Sequence, residues 1–325
     1  MPPETTHYKS EMTNSTPTKP AIIVHGGCGS VYPEPMSPER RAAYETKLME
    51  AAQAGYEALQ AGKSSVEAVE VSVKILEDSP LFNAAHGAVF SNEEIIELDA
   101  SIMDGAAFLA GAVAGVRTIR NPISAARKVM EASNHVMMVG TGAEAFAQTV
   151  GLEVVPPSYF EIAERRDQIR QIKEAEAQGQ TTKETKLGTV GAVALDLNGN
   201  LAAGTSTGGM LNKRFGRVGD SPIIGAGTFA NHVCAVSGTG HGEFFMRHTV
   251  AHDIAALMEY KGVSVEQAAQ KVIHEKVLKA GGEGGVIVLD AQGNRGITHS
   301  TQGMFWASVS SDGTQQVHVD NIIIE

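Results

Sequence analysis

A long polar segment near the middle of the chain stops abruptly at an apolar run, and this boundary restricts the fold more than any other feature. Charged and amide side chains dominate residues 161–186, and almost nothing apolar follows Ile172. Such a segment buries too little apolar surface to offset the entropy of ordering it. We therefore predict a linker over about 161–188, mobile in its latter half, directly in front of a buried strand that begins at Thr189.

Strand signals lie on both sides of this boundary. The apolar run at residues 21–24 predicts a buried strand that ends at a glycine-rich turn, residues 25–29. The run from Thr189 to Asp196 turns at Asn-Gly and returns, which predicts a hairpin. Residues 285–298 repeat this pattern.

Helical patterns fill the intervals between the strands. Ser37 followed by Pro38 is typical of a helix start, and an alanine-rich periodic stretch continues towards residue 62. Further helices are predicted at residues 65–77, 122–151, 243–260 and 265–279. Strands, helices and strands in this order predict sheets covered by helices.

Composition and charge narrow the class of protein. The chain has 325 residues, 42% of them hydrophobic, and a net charge of -11, which argues against a nucleic-acid surface. No apolar run reaches the roughly 20 residues that span a bilayer, so no membrane insertion is expected. The two cysteines, Cys28 and Cys234, suit a reducing compartment, and we expect a cytoplasmic protein. Residues 1–20 are polar and predict a disordered leader.

Cleavage at the linker boundary would give Thr189 a chemical role. Linker ends tolerate chain cleavage. A cut between Gly188 and Thr189 would free an α-amino group whose pKa of about 7.7–8.0 allows it to act as a base beside the threonine hydroxyl. Taken alone, Thr189 is better explained as a β-branched residue that starts a strand.

Several motifs overturn that plainer interpretation together. In chain order they are HGG at 25–27, LE at 76–77, PLFNA at 80–84, ELDA at 97–100, MDG at 103–105, GTVGAVALD at 188–196, TSTGG at 205–209, GRVGDS at 216–221 and SGTG at 237–240. Their ordered combination closely resembles the plant-type asparaginase and isoaspartyl peptidase family. The resemblance extends from Ala21 to about Phe305.

The resemblance implies a fold, an assembly and an activity. It implies an α+β protein with the four-layer αββα sandwich of N-terminal-nucleophile hydrolases, forming a single catalytic domain over residues 21–325. Cleavage would produce an α chain, residues 1–188, and a β chain, residues 189–325, and two such units would pair as (αβ)2. The expected reaction is hydrolysis of β-aspartyl dipeptides and L-asparagine, both small-molecule substrates, through an ester on Thr189.

Catalytic roles follow from the same resemblance. Thr207 would hydrogen-bond the Thr189 hydroxyl, and Thr239 with the main-chain N–H of Gly240 would stabilise the oxyanion. Asn83 would lie near the catalytic pocket. No cofactor is expected for the chemistry.

Substrate recognition and an ion site are also implied. Arg217 would bind the carboxylate of the aspartyl group, while Asp220 and the carbonyl of Gly242 would bind its ammonium. The loop from Leu76 to His86 would wrap a structural sodium ion with main-chain oxygens. By position, these oxygens belong to Leu76, Glu77, Ser79, Phe82, Ala84 and His86.

Other interpretations remain open at this point. A glycosylasparaginase-like amidase is a close alternative, although those relatives are cut after aspartate and carry a secretory signal. A threonine endopeptidase of the same superfamily is a weaker alternative, and a non-processing binding protein of the same fold is one from another class. His248 and His252 lack the glutamate of a zinc-binding helix, and Asp99 and Asp104 are interpreted as solvated charges.

Overall fold

The computed structural model describes residues 19–29, 36–180 and 188–319. Nearly all of the predicted leader and residues 181–187 of the predicted linker lie outside these ranges. The strands are β1 Ala21–Cys28, β2 Leu98–Asp104, β3 Leu109–Val116, β4 Met137–Val139, β5 Val190–Leu195, β6 Leu201–Thr207, β7 Thr228–Ala230, β8 Cys234–Gly240, β9 Gly284–Asp290, β10 Arg295–His299, β11 Met304–Ser310 and β12 Gln315–His318.

The helices lie between these strands. They are α1 Pro38–Gln60, α2 Ser65–Glu77, α3 Pro122–Ala132, α4 Gly140–Thr149, α5 Ala163–Ala177, α6 Gly242–His248, α7 Val250–Lys261 and α8 Val265–Gln270. A 3-10 helix at Pro157–Phe160 and a π-helix at Lys271–Val277 complete the described helical segments. None of the described helices is long and apolar enough to cross a membrane.

Two sheets form a mixed α/β structure. The larger sheet has the order β12-β11-β1-β5-β6-β2-β3-β4, and the smaller has the order β10-β9-β8-β7. Strands β1, β5 and β6 pack against β8 and β9 of the smaller sheet, α1, α2 and α3 pack on the larger sheet, and α7 and α8 pack on the smaller one.

Alternation along β1 explains why both faces of the larger sheet are covered. Ile22 and Val24 belong to the core cluster that includes α1 and α2, whereas Ala21 and Ile23 belong to the cluster shared with the smaller sheet. Successive side chains of a strand point to opposite faces, so an uninterrupted apolar run requires apolar cover on both sides. The run at residues 21–24 thus marks a strand in the interior of the molecule.

The two predicted helices after β1 are confirmed, and so is the predicted start signal of the first. The Ser37 hydroxyl accepts from the N–H of Arg40, and Pro38 occupies the first helical position. Ser64 forms a capping box with Glu67 at the start of α2. Both predicted hairpins are confirmed as well, as β5–β6 and β9–β10.

Three predicted segments differ from the structure. Strand β4 divides the predicted helix at residues 122–151, and the predicted helix at 243–260 breaks at Thr249, whose φ is 46°. The first half of the predicted linker is helical: in α5 the side chains of Arg165 and Ile169 are buried, and Arg165 Nε donates to Gly87 O at 3.0 Å. These buried contacts supply the stabilisation that composition alone did not indicate.

Segments from either side of residue 188 alternate across the larger sheet. β1 lies between β11 and β5, and β2 is hydrogen-bonded to β6. From β12 to β4, neighbouring strands of the larger sheet switch three times between the part of the chain before residue 188 and the part after it.

Close packing of β3 against α3 generates a prediction about stability. A Cβ at Gly111 would lie 2.0 Å from the carbonyl oxygen of Ala126 and 2.5 Å from the main-chain nitrogen of Met130. We expect Gly111→Ala to lower the free energy of unfolding by about 1–3 kcal/mol, because helix and sheet must move apart. Urea unfolding measures the difference. Gly142→Ala in α4 is the control, since a Cβ there meets nothing within 4 Å. Equal stability of the two variants would contradict the prediction.

Candidate active site

Sheet pairing brings two threonine hydroxyls together. Val190, the first residue of β5, pairs with Ser206 of β6, so Thr189 lies beside Thr207 at the end of the hairpin. The two Oγ atoms are 2.9 Å apart, and either hydroxyl can be the donor. Thr207 Oγ also accepts from the N–H of Gly209 at 3.0 Å. The arrangement can polarise the Thr189 hydroxyl, as nucleophilic catalysis requires.

The peptide bond between Gly188 and Thr189 lies against the glycine turn of β1. A Cβ on Gly27 would lie 2.0 Å from Gly188 Cα, and a Cβ on Gly188 would lie 2.0 Å from the Gly26 carbonyl oxygen. The φ of Gly27 is 102°, which also favours glycine. Main-chain atoms of the two segments are in direct contact here, so a side chain at Gly27 or Gly188 would displace the Gly188–Thr189 peptide bond.

Asn83 holds the carbonyl of that same bond. Its main-chain N–H donates to Gly188 O at 3.1 Å, and its carbonyl accepts from the N–H of Gly208. The buried side chain donates from Nδ2 to Gly209 O at 2.7 Å and accepts from the N–H of Val89 at 2.9 Å. Asn83 therefore connects the linker end to the turn after β6.

One pocket contains most of the residues predicted for catalysis and binding. Its lining includes Thr189, Thr207, Thr239, Gly240, Arg217 and Asp220. Gly242 adjoins it, because a Cβ at this position would lie 3.1 Å from Asp220 Oδ1. The positions come from the residue before β5, from β6 and β8 and from the loop after β6, and the fold brings them together around Thr189.

The end of β8 supplies the residues predicted for the oxyanion. Thr239 is buried, and Gly240 has a φ of 150°. A Cβ at Gly240 would lie 2.5 Å from Gly284 Cα, so glycine is required for the close approach of the two strands. His241 fits beyond this point because its Nδ1 accepts from the N–H of Glu283 at 2.9 Å.

Asp220 is buried in the pocket wall. Burial raises its pKa to about 7, against smaller lowering contributions from its own main chain and from Arg217. Its Oδ2 atom has no hydrogen-bond partner among the described residues. A buried carboxylate with a vacant acceptor atom suits recognition of a cationic group.

Arg217 forms an ion pair with Glu243. Arg217 Nε donates to Glu243 Oε1 at 2.9 Å, and Nη2 donates to Oε2 at 3.0 Å. The sequence did not indicate Glu243, since it lies 26 residues from Arg217 and no local pattern relates the two.

Pocket residues that sequence reasoning missed include a cysteine. Cys28 and Met210 line the pocket, and the Cys28 thiol donates to Thr239 O at 3.3 Å. Ser221 lines it as well. Cys28 follows the two glycines that contact Gly188, so its place in the glycine-rich turn was the available signal.

A buried hydroxyl network lies between the two sheets behind the pocket. His25 Nε2 is 3.0 Å from Ser237 Oγ, which is 2.7 Å from Thr205 Oγ1. Thr228 Oγ1 donates to Thr205 Oγ1 at 2.6 Å. Burial lowers the pKa of His25 to about 3, against a smaller raising contribution from the main chain of Thr189, so the ring is neutral at pH 7.

The interpretation of Asp99 as a solvated charge was wrong. Asp99 is fully buried and pairs with Thr207 across the sheet, and its Oδ1 accepts from the N–H of Gly115 at 2.8 Å. Burial raises the pKa of Asp99, and the charge of Lys213 opposes that shift. Lys213 is buried too, and its Nζ donates to Glu97 O at 3.0 Å.

The loop predicted to bind sodium is tightly closed. The carbonyl oxygens of Pro80 and Phe82 lie 2.7 and 2.8 Å from the position of a Cβ on Gly87, and the His86 N–H donates to Glu77 O at 2.9 Å. The His86 side chain contacts Tyr159, and its Nδ1 donates to Tyr159 O at 2.8 Å. Of these oxygens, Phe82 O and Glu77 O belong to the set predicted to bind sodium, and main-chain oxygen is a type of ligand that hard cations prefer.

Comparison with known proteins shows the family of the chain. A family model described as asparaginase matches residues 18–319, and the chain belongs to this asparaginase family. The chain is 48% identical over 299 residues to an isoaspartyl peptidase of Escherichia coli (strain K12), covering 89% of this chain and 92% of that protein. It is 42% identical over 303 residues to an isoaspartyl peptidase/L-asparaginase of Xenopus laevis, covering 93% and 94%.

The buried charges behind the pocket generate a stability prediction. We expect Lys213→Met to lower the free energy of unfolding at neutral pH by about 3 kcal/mol or more, because Asp99 would lose its opposing charge in a buried site. The loss should shrink as the pH falls and Asp99 becomes protonated. Urea unfolding at several pH values measures both effects. Lys128→Met, which removes an exposed pair with Glu131, is the control and should change little; a similar loss in both variants would contradict the prediction.

Proposed function

We propose that the chain is the precursor of an N-terminal-threonine amidohydrolase that cuts itself between Gly188 and Thr189 and then hydrolyses β-aspartyl dipeptides and L-asparagine. The observation that carries this proposal is the 2.9 Å contact between the hydroxyls of Thr189 and Thr207, inside a pocket that also contains Arg217 and Asp220. The names of the relatives, isoaspartyl peptidase and isoaspartyl peptidase/L-asparaginase, support the choice of substrate.

Self-cleavage would use the contacts around the 188–189 peptide bond. The Thr189 hydroxyl attacks the Gly188 carbonyl carbon, and the main-chain N–H of Asn83, 3.1 Å from Gly188 O, stabilises the developing negative charge. The hydroxyl proton passes to the nitrogen as the C–N bond breaks, which leaves an ester on the hydroxyl oxygen and a free amine on Thr189. Water hydrolyses the ester and gives the Gly188 carboxylate.

Turnover would reuse the same hydroxyl. The free amine of Thr189 accepts the hydroxyl proton as the oxygen attacks the side-chain carbonyl of the substrate. Thr239 and the N–H of Gly240 stabilise the oxyanion, and the protonated amine of Thr189 gives its proton to the departing nitrogen. Water then cleaves the aspartyl ester, releases aspartate and restores the threonine.

Recognition of the aspartyl group would rest on two opposite charges. The Arg217 guanidinium binds the free α-carboxylate, and Asp220 accepts from the α-ammonium, aided by the Gly242 carbonyl. Arg217 and Asp220 both line the pocket, and Gly242 adjoins it. Small substrates that carry both charges fit this pair.

The proposal extends to fold and assembly. The contacts of the two sheets with each other and with the helices support a four-layer αββα sandwich of the N-terminal-nucleophile hydrolase type. Two αβ units would form an (αβ)2 assembly in the cytoplasm. An exposed apolar patch at the β3–β4 edge supports association; it consists of Phe108, Leu109, Val136, Met137 and Val139.

A structural sodium ion belongs to the same proposal. Main-chain oxygens of the loop from Leu76 to His86 would hold it, because main-chain oxygen is a type of ligand that hard cations prefer. The ion would stiffen the loop that carries Asn83.

Three other activities fit less well. A glycosylasparaginase-like amidase would be cut after aspartate, whereas glycine precedes Thr189. A threonine endopeptidase would need an open groove for a longer chain. In a binding protein of the same fold, the contact between the Thr189 and Thr207 hydroxyls would have no catalytic role.

Removal of the Thr189 hydroxyl tests cleavage and turnover together. Intact-mass analysis of the wild-type protein should give two chains, the second beginning at Thr189, with activity on β-aspartyl dipeptides. Thr189→Ala should remain one chain and lack turnover, because it has no nucleophile. Thr149→Ala, at the exposed end of α4, is the control and should behave like the wild type. Splitting of the Thr189→Ala chain at Gly188 would sink the proposal.

Asp220 should make recognition depend on pH. Its pKa of about 7 means that it is protonated below neutrality and cannot then balance an ammonium group. We expect the inhibition constant of L-aspartate to rise as the pH falls, by about tenfold per pH unit well below 7. Inhibition assays between about pH 5.5 and 8 measure this, since L-aspartate itself does not titrate in that range. In Asp220→Asn, inhibition should be weak and should lose the roughly tenfold rise of the inhibition constant per pH unit below 7; an unchanged profile would contradict the assignment.

A further inference from the structure

The Arg217 guanidinium is held side-on by a carboxylate outside the pocket lining. Its Nε and Nη2 groups donate to the two oxygens of Glu243 at 2.9 and 3.0 Å. A guanidinium group has five N–H bonds. This pairing uses the single N–H of Nε and one of the two N–H bonds of Nη2. The edge formed by Nη1 and the second hydrogen of Nη2 is left for another carboxylate.

Two glycines limit the positions that the guanidinium can take. A Cβ on Gly219 would lie 2.7 Å from Arg217 Nη1, and a Cβ on Gly242 would lie 2.6 Å from Nη2. Main chain therefore packs closely on the guanidinium at both positions. The glycines leave room for the guanidinium, and the Glu243 carboxylate fixes its rotation.

The surroundings of Glu243 indicate that the pair is maintained. Burial raises the pKa of Glu243, but its hydrogen bonds and charge interaction with Arg217 outweigh burial and lower the pKa overall. Glu243 directly follows Gly242, so the same turn contacts Arg217 through main chain and side chain. Side-chain exposure is 19% for Arg217 and 49% for Glu243, which places the glutamate on the solvent side.

We propose that Glu243 is a positioning residue that orients Arg217 for the α-carboxylate of the aspartyl group and thereby sets selectivity for substrates with a free α-carboxylate. This inference rests on the proposed function, because it assigns an α-carboxylate to Arg217. Glu243 itself touches neither the substrate nor the reacting atoms. A bidentate pair on one edge leaves the other edge aligned for a second bidentate pair.

Loss of the Glu243 carboxylate should affect binding more than chemistry. Without it, Arg217 regains rotational freedom that the substrate must remove on binding, and misplaced binding groups are costly. The penalty falls on the carboxylate of the substrate. An analogue with a carboxamide in that position has no charge interaction with Arg217, so its kcat/KM should not respond to the loss of the Glu243 carboxylate.

Glu243→Gln tests the proposal with two probes, β-aspartyl-leucine and the same dipeptide with its aspartyl α-carboxylate converted to a carboxamide. We expect KM for β-aspartyl-leucine to rise about tenfold or more, with kcat within about twofold of wild type. The kcat/KM ratio of carboxylate to carboxamide substrate should fall by a similar factor. This ratio does not depend on the fraction of active enzyme, so partial misfolding cannot imitate the result.

Two further variants sharpen the test. Glu153→Gln removes a surface partner of Arg120 away from the pocket and should leave both KM and the ratio unchanged. Glu243→Asp keeps the charge on a shorter side chain and should restore part of the ratio. A wild-type ratio in Glu243→Gln would overturn the inference, and so would equal losses for both probes. Absence of wild-type turnover on both probes would instead overturn the proposed function.

Discussion

The antiparallel pairing of β5 with β1 on one side and β6 on the other is the interaction on which the site depends. Pairing with β6 sets Thr189 beside Thr207, and pairing with β1 brings the Gly26–Gly27 turn against Gly188. A shift by one residue would turn every side chain of β5 to the opposite face. The register is held because the residues of β5 are buried on both faces of the sheet. Core packing of β5 therefore places the Thr189 hydroxyl within hydrogen-bond distance of the Thr207 hydroxyl.

Burial also shifts the pKa values of the charged residues around the pocket. Asp220 and Asp99 are buried carboxyls with raised pKa values, and Lys213 is a buried amine whose pKa burial lowers. Each costs free energy when charged in an apolar surrounding unless an opposite charge lies near. Lys213 provides that charge to Asp99 and Arg217 provides it to Asp220, and the Oδ2 atom of each carboxyl has no hydrogen-bond partner among the described residues. Of the two carboxyls, however, Asp220 lines the pocket and Asp99 does not. The difference separates a structural carboxyl from one suited to bind a cation.

Sequence reasoning located the strands and pocket residues that carry local signals. The hairpin turns, the Ser37 helix start and the motif residues around Thr189, Thr207 and Arg217 all depend on neighbours in the chain. It failed where distant segments meet. The pairing of Arg217 with Glu243 and the burial of Asp99 depend on which elements pack together, and α5 depends on contacts of Arg165 and Ile169 with other segments. A local pattern contains no information about such partners.

Alternation of the two parts of the chain across the larger sheet has a consequence for how a cut molecule could be made. Strands β1 and β2 lie beside strands from beyond residue 188, so neither part can form the larger sheet by itself. A single precursor brings these strands together as one connected polymer, with loop closure as the entropic cost. Two separate pieces would have to find each other first, and their recovery from denaturant would become a second-order reaction that depends on concentration. The uncut chain thus serves as its own assembly template.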